Sequence, residues 1–263
     1  MLRIDSISKT FFPGTVNERK ALQDLSLELD ESDFVTVIGS NGAGKSTLLN
    51  TISGRLGIDS GSIAIDGAEV SRMPEHKRAR YLGRVFQDPM AGTAPDLTIE
   101  QNLSLALRRG KSRGLGRGTT SVRREHFREE LATLELGLEN RLKTKVGLLS
   151  GGQRQALSLL MAGFTQPRIL LLDEHTAALD PQRAALVTSL TEKIVATGGL
   201  TTLMVTHNME QAIALGNRLI MMHEGRIIYE ATAQEKQNLT VKTLLGEFSK
   251  LKGASLGDRA LLN

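Results

Sequence analysis

Residues 39–47 read Gly39-Ser40-Asn41-Gly42-Ala43-Gly44-Lys45-Ser46-Thr47, and no other stretch of the chain constrains the fold as strongly. An apolar, β-branched run, Phe34-Val35-Thr36-Val37-Ile38, precedes this stretch, and a helical pattern of apolar residues follows it. Strand, glycine-rich loop and helix in that order are the context in which the pattern GxxxxGK[ST] indicates a phosphate-binding loop. Glycines let successive backbone N–H groups point at phosphate oxygens, and the helix N-terminus adds partial positive charge.

Two side chains at the end of this loop have the chemistry that a nucleotide requires. Lys45 can reach the β- and γ-phosphates, and the hydroxyl of Ser46 can ligate Mg²⁺. We therefore predict that residues Gly39 to Thr47 bind a nucleotide. A glycine-rich turn without a ligand is the alternative, and the complete pattern between a strand and a helix argues against it.

Composition excludes several classes of protein. The chain of 263 residues can bury a large core in one domain or two, and it has no cysteine for disulfide or thiolate chemistry. A net charge of +4 and an aromatic content of 3% without tryptophan do not favour nucleic-acid binding. No apolar run approaches the roughly 20 residues of a spanning helix, and Met1-Leu2-Arg3-Ile4-Asp5 is not the start of a signal peptide. We expect a cytosolic chain.

Periodicity along the chain predicts an α/β fold. Alternating apolar residues predict strands within residues 1–29, 61–67 and 81–86, which suggests an antiparallel β layer at the N-terminal side. After residue 168, strands and helices alternate, which predicts βαβ units and a parallel core sheet. The predicted elements there are strands 169–172, 201–205, 218–222 and 226–230, and helices 181–195 and 209–215.

A helical segment of about residues 95–165 interrupts the strand pattern. Helical spacing is found over Ile99 to Leu107 and over Arg123 to Leu136. A basic, glycine-rich loop from Arg108 to Gly118 separates these two helices, and it could be a solvated segment or a contact for anionic lipid head groups. The tail of about residues 240–263 is predicted to be helical and then polar.

Two carboxylates follow a buried strand in Ile169-Leu170-Leu171-Leu172-Asp173-Glu174. The four apolar residues predict a strand covered on both faces, and ligands of α/β sheets bind at the carboxyl ends of such strands. We predict that Asp173 holds Mg²⁺ through water and that Glu174 orients and deprotonates the attacking water. Solvated carboxylates or a helix cap are the alternative for this pair.

A second candidate anion site lies in Leu149-Ser150-Gly151-Gly152-Gln153. A serine hydroxyl, two unhindered N–H groups and the start of an apolar helix are combined there. One γ-phosphate between two such sites suggests that the second site belongs to another copy of the chain. Taken alone, the pentapeptide could equally be an ordinary serine N-cap.

Together these motifs resemble the ATP-binding subunit of an ABC transporter, over about residues 11–230. The loop at 39–47 resembles the Walker A motif, 149–153 the signature motif and 169–174 the Walker B motif. Four more positions match in family order: Phe11 as the aromatic residue that stacks on adenine, Gln87 as the Q-loop glutamine, Asp180 within the D-loop Ala177-Ala178-Leu179-Asp180, and His207 as the switch histidine.

The resemblance implies a P-loop NTPase fold of the ABC type, in which residues 1–263 form a single ATP-binding domain with a helical subdomain. It also implies a head-to-tail dimer of two copies, with ATP and Mg²⁺ bound between Lys45 of one copy and Ser150 of the other. His207 would contact the γ-phosphate, and Gln87 would sense Mg²⁺ and the attacking water. Hydrolysis and loss of the γ-phosphate would remove part of what joins the two copies, so closure and opening of the dimer would be coupled to the chemistry.

The implied partners are integral membrane permease subunits, and the location is the cytoplasmic face of the cell membrane. The Asp-Glu-His-Thr variant resembles import systems that use a substrate-binding lipoprotein, some of them for amino acids. Export, extrusion of lipoproteins and soluble cluster assembly are the alternatives. DNA repair is disfavoured, because the span between Gln87 and Ser150 has no coiled-coil or zinc insertion.

The sequence departs from the family pattern at two positions. His175 follows Glu174 where proline is usual, and Ala156 stands where arginine is common. We assign no role to His175. We predict that it is solvated, as are the histidines at positions 76, 126 and 223.

Overall fold

Two β-sheets organise the computed structural model, which describes residues 1–111 and 118–248. The strands are β1 (Leu2–Phe11), β2 (Arg19–Leu29), β3 (Phe34–Gly39), β4 (Ser60–Ile65), β5 (Ala68–Glu69), β6 (Leu82–Val85), β7 (Ile169–Asp173), β8 (Thr201–Val205), β9 (Arg218–His223) and β10 (Arg226–Ala231). The helices are α1 (Lys45–Ser53), α2 (Glu75–Arg78), α3 (Ile99–Leu107), α4 (Ser121–Ala132), α5 (Gly151–Gly163), α6 (Pro181–Gly198), α7 (Met209–Ala214) and α8 (Ala233–Lys236). Two 3₁₀ turns, Leu138–Asn140 and Val146–Leu148, lie between α4 and α5.

The predicted strands and helices are confirmed with small changes at their ends. The largest change is in α4, which ends at Ala132 rather than at residue 136. Glu135 and Gly137 have φ angles of 57° and 69°, and this left-handed conformation turns the chain away from the helix. Residues 241–248 are helical, as predicted. Residues 112–117 of the basic loop and 249–263 of the tail lie outside the described residues.

The core sheet has the strand order β10-β9-β3-β8-β7-β6. Its strands are parallel except for the antiparallel pair of β9 and β10, so the predicted parallel core is confirmed. The carboxyl ends of β3, β8, β7 and β6 therefore meet at one edge of the sheet, which is where ligands of such sheets bind.

The second sheet, with the order β2-β1-β4-β5, is antiparallel and covers one face of the core sheet. Val35 and Val37 of β3 lie in one buried cluster with Leu2 of β1 and Leu25 of β2. The alternating burial along β2 results from this packing, because successive side chains of a strand point to opposite faces. The predicted N-terminal antiparallel layer is confirmed.

Helices α3, α4 and α5 form the helical subdomain on the other face. Phe127 of α4 and Leu157 of α5 share a buried cluster with Leu172 of β7 and Met204 of β8. Ala156 belongs to this cluster and is fully buried, so the position where arginine is common is part of the core here. Within residues 1–111 and 118–248, no helix is long and apolar enough to cross a bilayer.

Candidate functional site

The glycine-rich loop joins β3 to α1 and lines a cavity of about 240 Å³. The lining residues are Arg19, Asn41, Gly42, Ala43, Gly44, Lys45, Ser46, Thr47 and Glu174. Lys45 is 7% exposed, and its Nζ donates to the carbonyl oxygens of Gly39 at 2.7 Å and Ser40 at 3.1 Å. Burial lowers the pKa of Lys45, and the nearby carboxylates Glu174 and Asp173 oppose that shift.

Glycine is required at position 44 by both backbone angle and space. Gly44 has a φ angle of 102°, and a Cβ atom there would lie 2.4 Å from the carbonyl oxygen of Ala21. The turn before α1 therefore packs directly against the second sheet, which holds the loop in its curved form.

Arg19 is a residue of this cavity that the sequence motifs did not reveal. Its Nη2 donates to the carbonyl oxygen of Gly42 at 2.9 Å, so a cation from the second sheet reaches the phosphate-binding loop. In the ladder between β1 and β2, Arg19 is the partner of Phe11. Phe11, the predicted adenine-stacking residue, is half-buried and does not line the described cavity, although its ladder partner does.

The predicted metal ligand Asp173 and the predicted catalytic residues Glu174 and His207 come together at the edge of the core sheet. Asp173 ends β7, Glu174 follows it, and His207 lies two residues after β8, the strand between β7 and β3. The N–H of Glu174 donates to the carbonyl oxygen of Val205 at 2.9 Å. Glu174 Oε2 lies 3.3 Å from His207 Nδ1, and Glu174 also lines the loop cavity. Glu174 has a left-handed φ angle of 44°, an uncommon conformation that often occurs at functional sites.

Asp173 forms an ion pair with Arg84 of β6. Arg84 Nη2 lies 3.0 Å from Asp173 Oδ2, and both side chains are largely buried. Arg84 Nη1 donates to Asn50 Oδ1 at 2.9 Å and Ser53 Oγ at 3.1 Å, both on α1. The sequence motifs did not reveal Arg84 either.

Gln87 lies two residues after β6, at the same edge of the sheet, and its side chain is exposed. The preceding residue, Phe86, accepts a hydrogen bond at its carbonyl oxygen from Nε2 of Gln155, 3.2 Å away. Gln155 is fully buried in α5. The helix that begins with the signature motif is thereby bonded to the segment that carries Gln87.

Ser150 is the N-cap of α5 and forms a capping box with Gln153. Ser150 Oγ accepts from the N–H of Gln153 at 3.3 Å, and Gln153 Oε1 accepts from the N–H of Ser150 at 3.2 Å. Gly151 and Gly152 form the first turn of α5. A Cβ atom at Gly152 would lie 3.2 Å from the Arg183 side chain, so α6 packs against the signature glycines. Ser150 is exposed and is not among the described residues that line the loop cavity.

Asp180 is the N-cap of α6, and its Oδ1 accepts from the N–H of Arg183 at 3.1 Å. Asp180 does not line the loop cavity within the described part of the chain. Gln211 of α7, a residue outside every motif, connects the neighbouring segments. It bonds to Thr206 at 2.8 Å, and its Nε2 donates to Thr176 at 3.2 Å. The residue before His207 is thereby connected to the segment after Glu174.

The prediction that His175 is solvated is wrong. Its side chain is 2% exposed, and its Nε2 lies 2.9 Å from Thr191 Oγ1 on α6. The Thr191 hydroxyl donates to the carbonyl oxygen of Val187, so His175 Nε2 carries the proton and donates to Thr191. Burial lowers the pKa of His175 to about 4. His223 is half-buried, so the prediction that it is solvated is not met either. His76 and His126 are exposed, as predicted.

The donor chemistry of the site fits magnesium bound together with a nucleotide. The described residues contain no group of three or more His, Cys, Asp or Glu side chains that could hold a metal ion alone. Mg²⁺ is commonly held by one or two protein oxygens, water and substrate phosphates. The hydroxyl of Ser46 and the carboxylate of Asp173 provide such oxygens.

Comparison with known proteins gives a consistent result. Residues 22–177 match the sequence family described as ABC transporter. A protein of Clostridioides difficile (strain R20291), named tyrosine transport ATP-binding protein, is 45% identical over 249 residues. The match covers 94% of this chain and 98% of that relative.

Solved structures of similar fold include two dimers of MJ0796. One, a bacterial ABC transporter cassette, has a TM-score of 0.76 at 30% identity and covers 89% of this chain and 99% of that one. The other, a post-hydrolysis state bound to ADP and Pi, has a TM-score of 0.74 at 29% identity, with the same coverage. MJ1267, an ATP-binding cassette of an ABC transporter, has a TM-score of 0.76 at 26% identity and covers 94% of this chain and 98% of that one.

Proposed function

Because this chain belongs to the ABC transporter family and is one of its ATPases, we propose that it powers solute transport through separate permease subunits. The proposal takes residues 1–263 as one ATP-binding unit, with the helical subdomain at about residues 95–165. The observation that carries it is the convergence of Lys45, Glu174 and His207 at one edge of the core sheet, beside a cavity lined by the phosphate-binding loop.

In this proposal ATP lies over the loop at 39–47, with the Lys45 ammonium at its β- and γ-phosphates. Phe11 stacks on the adenine. Ser46, Gln87 and Asp173 would hold Mg²⁺, directly or through water, and Mg²⁺ there would supply positive charge beside the phosphate oxygens. Glu174 orients the attacking water and accepts its proton. His207, whose Nδ1 is 3.3 Å from Glu174 Oε2, contacts the γ-phosphate.

The second half of the site comes from another copy of the chain. Residues 150–153 of that copy would close over the γ-phosphate, because an exposed serine hydroxyl and a helix N-terminus favour an anion. Asp180 of that copy would lie at the same nucleotide interface. The dimeric MJ0796 structures support this arrangement. Hydrolysis removes a shared ligand, so the two copies separate after each turnover.

The transported solute is proposed to be an amino acid that enters the cell, because the relative that is 45% identical is named a tyrosine transport ATP-binding protein. Such a system would include a substrate-binding lipoprotein, and this chain would act at the cytoplasmic face of the membrane. Uptake of labelled tyrosine should fall in cells without this gene and recover when the gene is restored. Unchanged uptake of tyrosine and other amino acids would instead favour export or another process.

The catalytic assignment is tested by Glu174→Gln. We expect this variant to bind ATP but to lose at least about 100-fold in turnover, because the water loses its base. ATP should then hold two copies together, which sizing chromatography with ATP and Mg²⁺ would detect as a dimer. The matched control is Glu210→Gln in the first turn of α7, which should hydrolyse ATP at the parent rate. Parental turnover by Glu174→Gln would contradict the assignment.

A further inference from the structure

Arg84 is connected to three elements that form the candidate site. Its guanidinium contacts Asp173 at the end of β7 and two side chains of α1, Asn50 and Ser53. Its Cζ also lies 4.7 Å from the centre of the Phe86 ring, next to Gln87. The side chain of Arg84 thus contacts the phosphate-loop helix, strand β7 and the segment that carries Gln87.

The α1 contacts lie on the helix face that carries Ser46. Asn50 and Ser53 are four and seven residues after Ser46, so these three side chains project from the same side of α1. A bond from Arg84 to Asn50 therefore fixes the carboxylate of Asp173 relative to the hydroxyl of Ser46. Those two oxygens are the protein ligands that the proposed magnesium site requires.

Stability alone explains this arrangement poorly. A buried ion pair often contributes no more to stability than an apolar pair of the same volume. Arg84 and Asp173 expose only 10% and 15% of their side chains. Arg84 Nε is buried and has no hydrogen-bond partner within residues 1–111 and 118–248. Apolar residues at both positions would avoid that unpaired nitrogen, so the ion pair is better explained by what its charges orient.

We propose that Arg84 is a positioning residue for the magnesium site. It fixes the position of the Asp173 carboxylate relative to the Ser46 hydroxyl on α1. The inference rests on the proposed function, because it takes Asp173 and Ser46 as magnesium ligands. Arg84 Nη2 donates to Oδ2 of Asp173, so Oδ1 is the oxygen that would serve the metal. In this proposal Arg84 acts through Asp173 and would not itself bind metal or nucleotide.

The test compares the affinity of the full chain for a fluorescent ATP analogue with Mg²⁺ and with EDTA. The dissociation constant in EDTA divided by the dissociation constant with Mg²⁺ measures how much the metal strengthens nucleotide binding. Arg84→Lys and Arg84→Gln should each reduce that ratio about tenfold, the usual effect of removing a group that orients a metal ligand. Affinity in EDTA should stay at the parental value, because the loop at 39–47 is unchanged. Asn50→Ala, which keeps the ion pair, should reduce the ratio by a smaller factor.

Each other outcome overturns the inference. A parental ratio in Arg84→Lys would mean that only the charge matters, and a higher ratio in Arg84→Gln would mean that Arg84 competes with the metal. Equal losses with Mg²⁺ and EDTA would indicate a purely structural role. Asp173→Asn separates the inference from the proposed function: if that variant keeps the ratio, the magnesium assignment itself fails, and if it lowers the ratio while Arg84→Lys does not, only the inference fails.

Discussion

His175 follows Glu174, the proposed catalytic base, and its side chain is buried in the core. The imidazole is turned away from the site and donates to Thr191 of α6. A buried neutral histidine makes stability depend on pH, because the unfolded chain takes up a proton near pH 6.5 while the folded chain does so only near its pKa of about 4. Its contribution is complete above about pH 6.5 and decreases as the pH falls towards 4.

We therefore expect the free energy of unfolding to fall by about 2 kcal/mol between about pH 7.5 and pH 5 on account of this group alone. His175→Gln keeps a donor for Thr191 and should lack that part of the loss. His76→Gln, at an exposed position, should keep it. Urea unfolding of the three proteins at both pH values gives the comparison, and the same pH dependence in His175→Gln would rule out the assignment.

Residues at the candidate site differ in how readily they can be predicted from the sequence. Lys45, Asp173 and Glu174 are predictable, because each belongs to a short local pattern whose chemistry requires it. Arg19, Arg84 and Gln211 belong to no such pattern. Arg84 contacts Ser53 and Asp173, 31 and 89 positions away in the chain. Gln211 reaches Thr176, 35 positions away, so both roles depend on which strands and helices become neighbours. The same limit applies to His175, whose burial depends on α6.

At the scale of the helix, we propose two functions for Ser150 at the start of α5. Ser150 caps the helix through the N–H of Gln153, and in the proposed dimer it also faces a γ-phosphate. These functions can be separated, because aspartate is also a good N-cap but repels phosphate.

Ser150→Ala should lower stability by about 1 kcal/mol and abolish ATP-dependent dimerisation. Ser150→Asp should keep the stability and still abolish dimerisation. Thr98→Ala removes the equivalent capping box of α3, so it should cost similar stability and leave ATP hydrolysis intact. Urea unfolding, sizing chromatography and an ATPase assay on the three variants provide the readouts. Dimerisation of Ser150→Asp at the parental level would show that Ser150 serves only as a cap.

The elements themselves were largely predictable from periodicity, because β3 and β7 are nearly continuous apolar runs and the residues of α3 have helical spacing. The end of α4 was not, since the positive φ angle of Glu135 depends on how the following turn packs. Where the antiparallel sheet lies was only partly predictable. Its contact with Gly44 depends on tertiary packing, because a Cβ atom at position 44 would lie only 2.4 Å from the carbonyl oxygen of Ala21 on β2.

At the scale of the whole molecule, the proposed site is completed by a second copy. A mixture of Lys45→Ala and Ser150→Asp should then be more active than either variant alone. One of the two sites in each mixed dimer combines an intact Lys45 with an intact Ser150. With random pairing, the mixture should recover up to about a quarter of the parental rate. ATPase measurements over a range of mixing ratios would reveal this recovery, and a mixture that shows only the sum of its two components would contradict a shared site.

The hydrogen bonds of Lys45 within its own loop have a consequence for how a phosphate would be received. Its ammonium group donates to two carbonyl oxygens of the loop, those of Gly39 and Ser40, so this buried cation has partners inside the loop itself. We expect a triphosphate bound here to compete with those two carbonyl oxygens for the ammonium group. Binding would then exchange hydrogen-bond partners of Lys45 and leave the backbone of the loop in place.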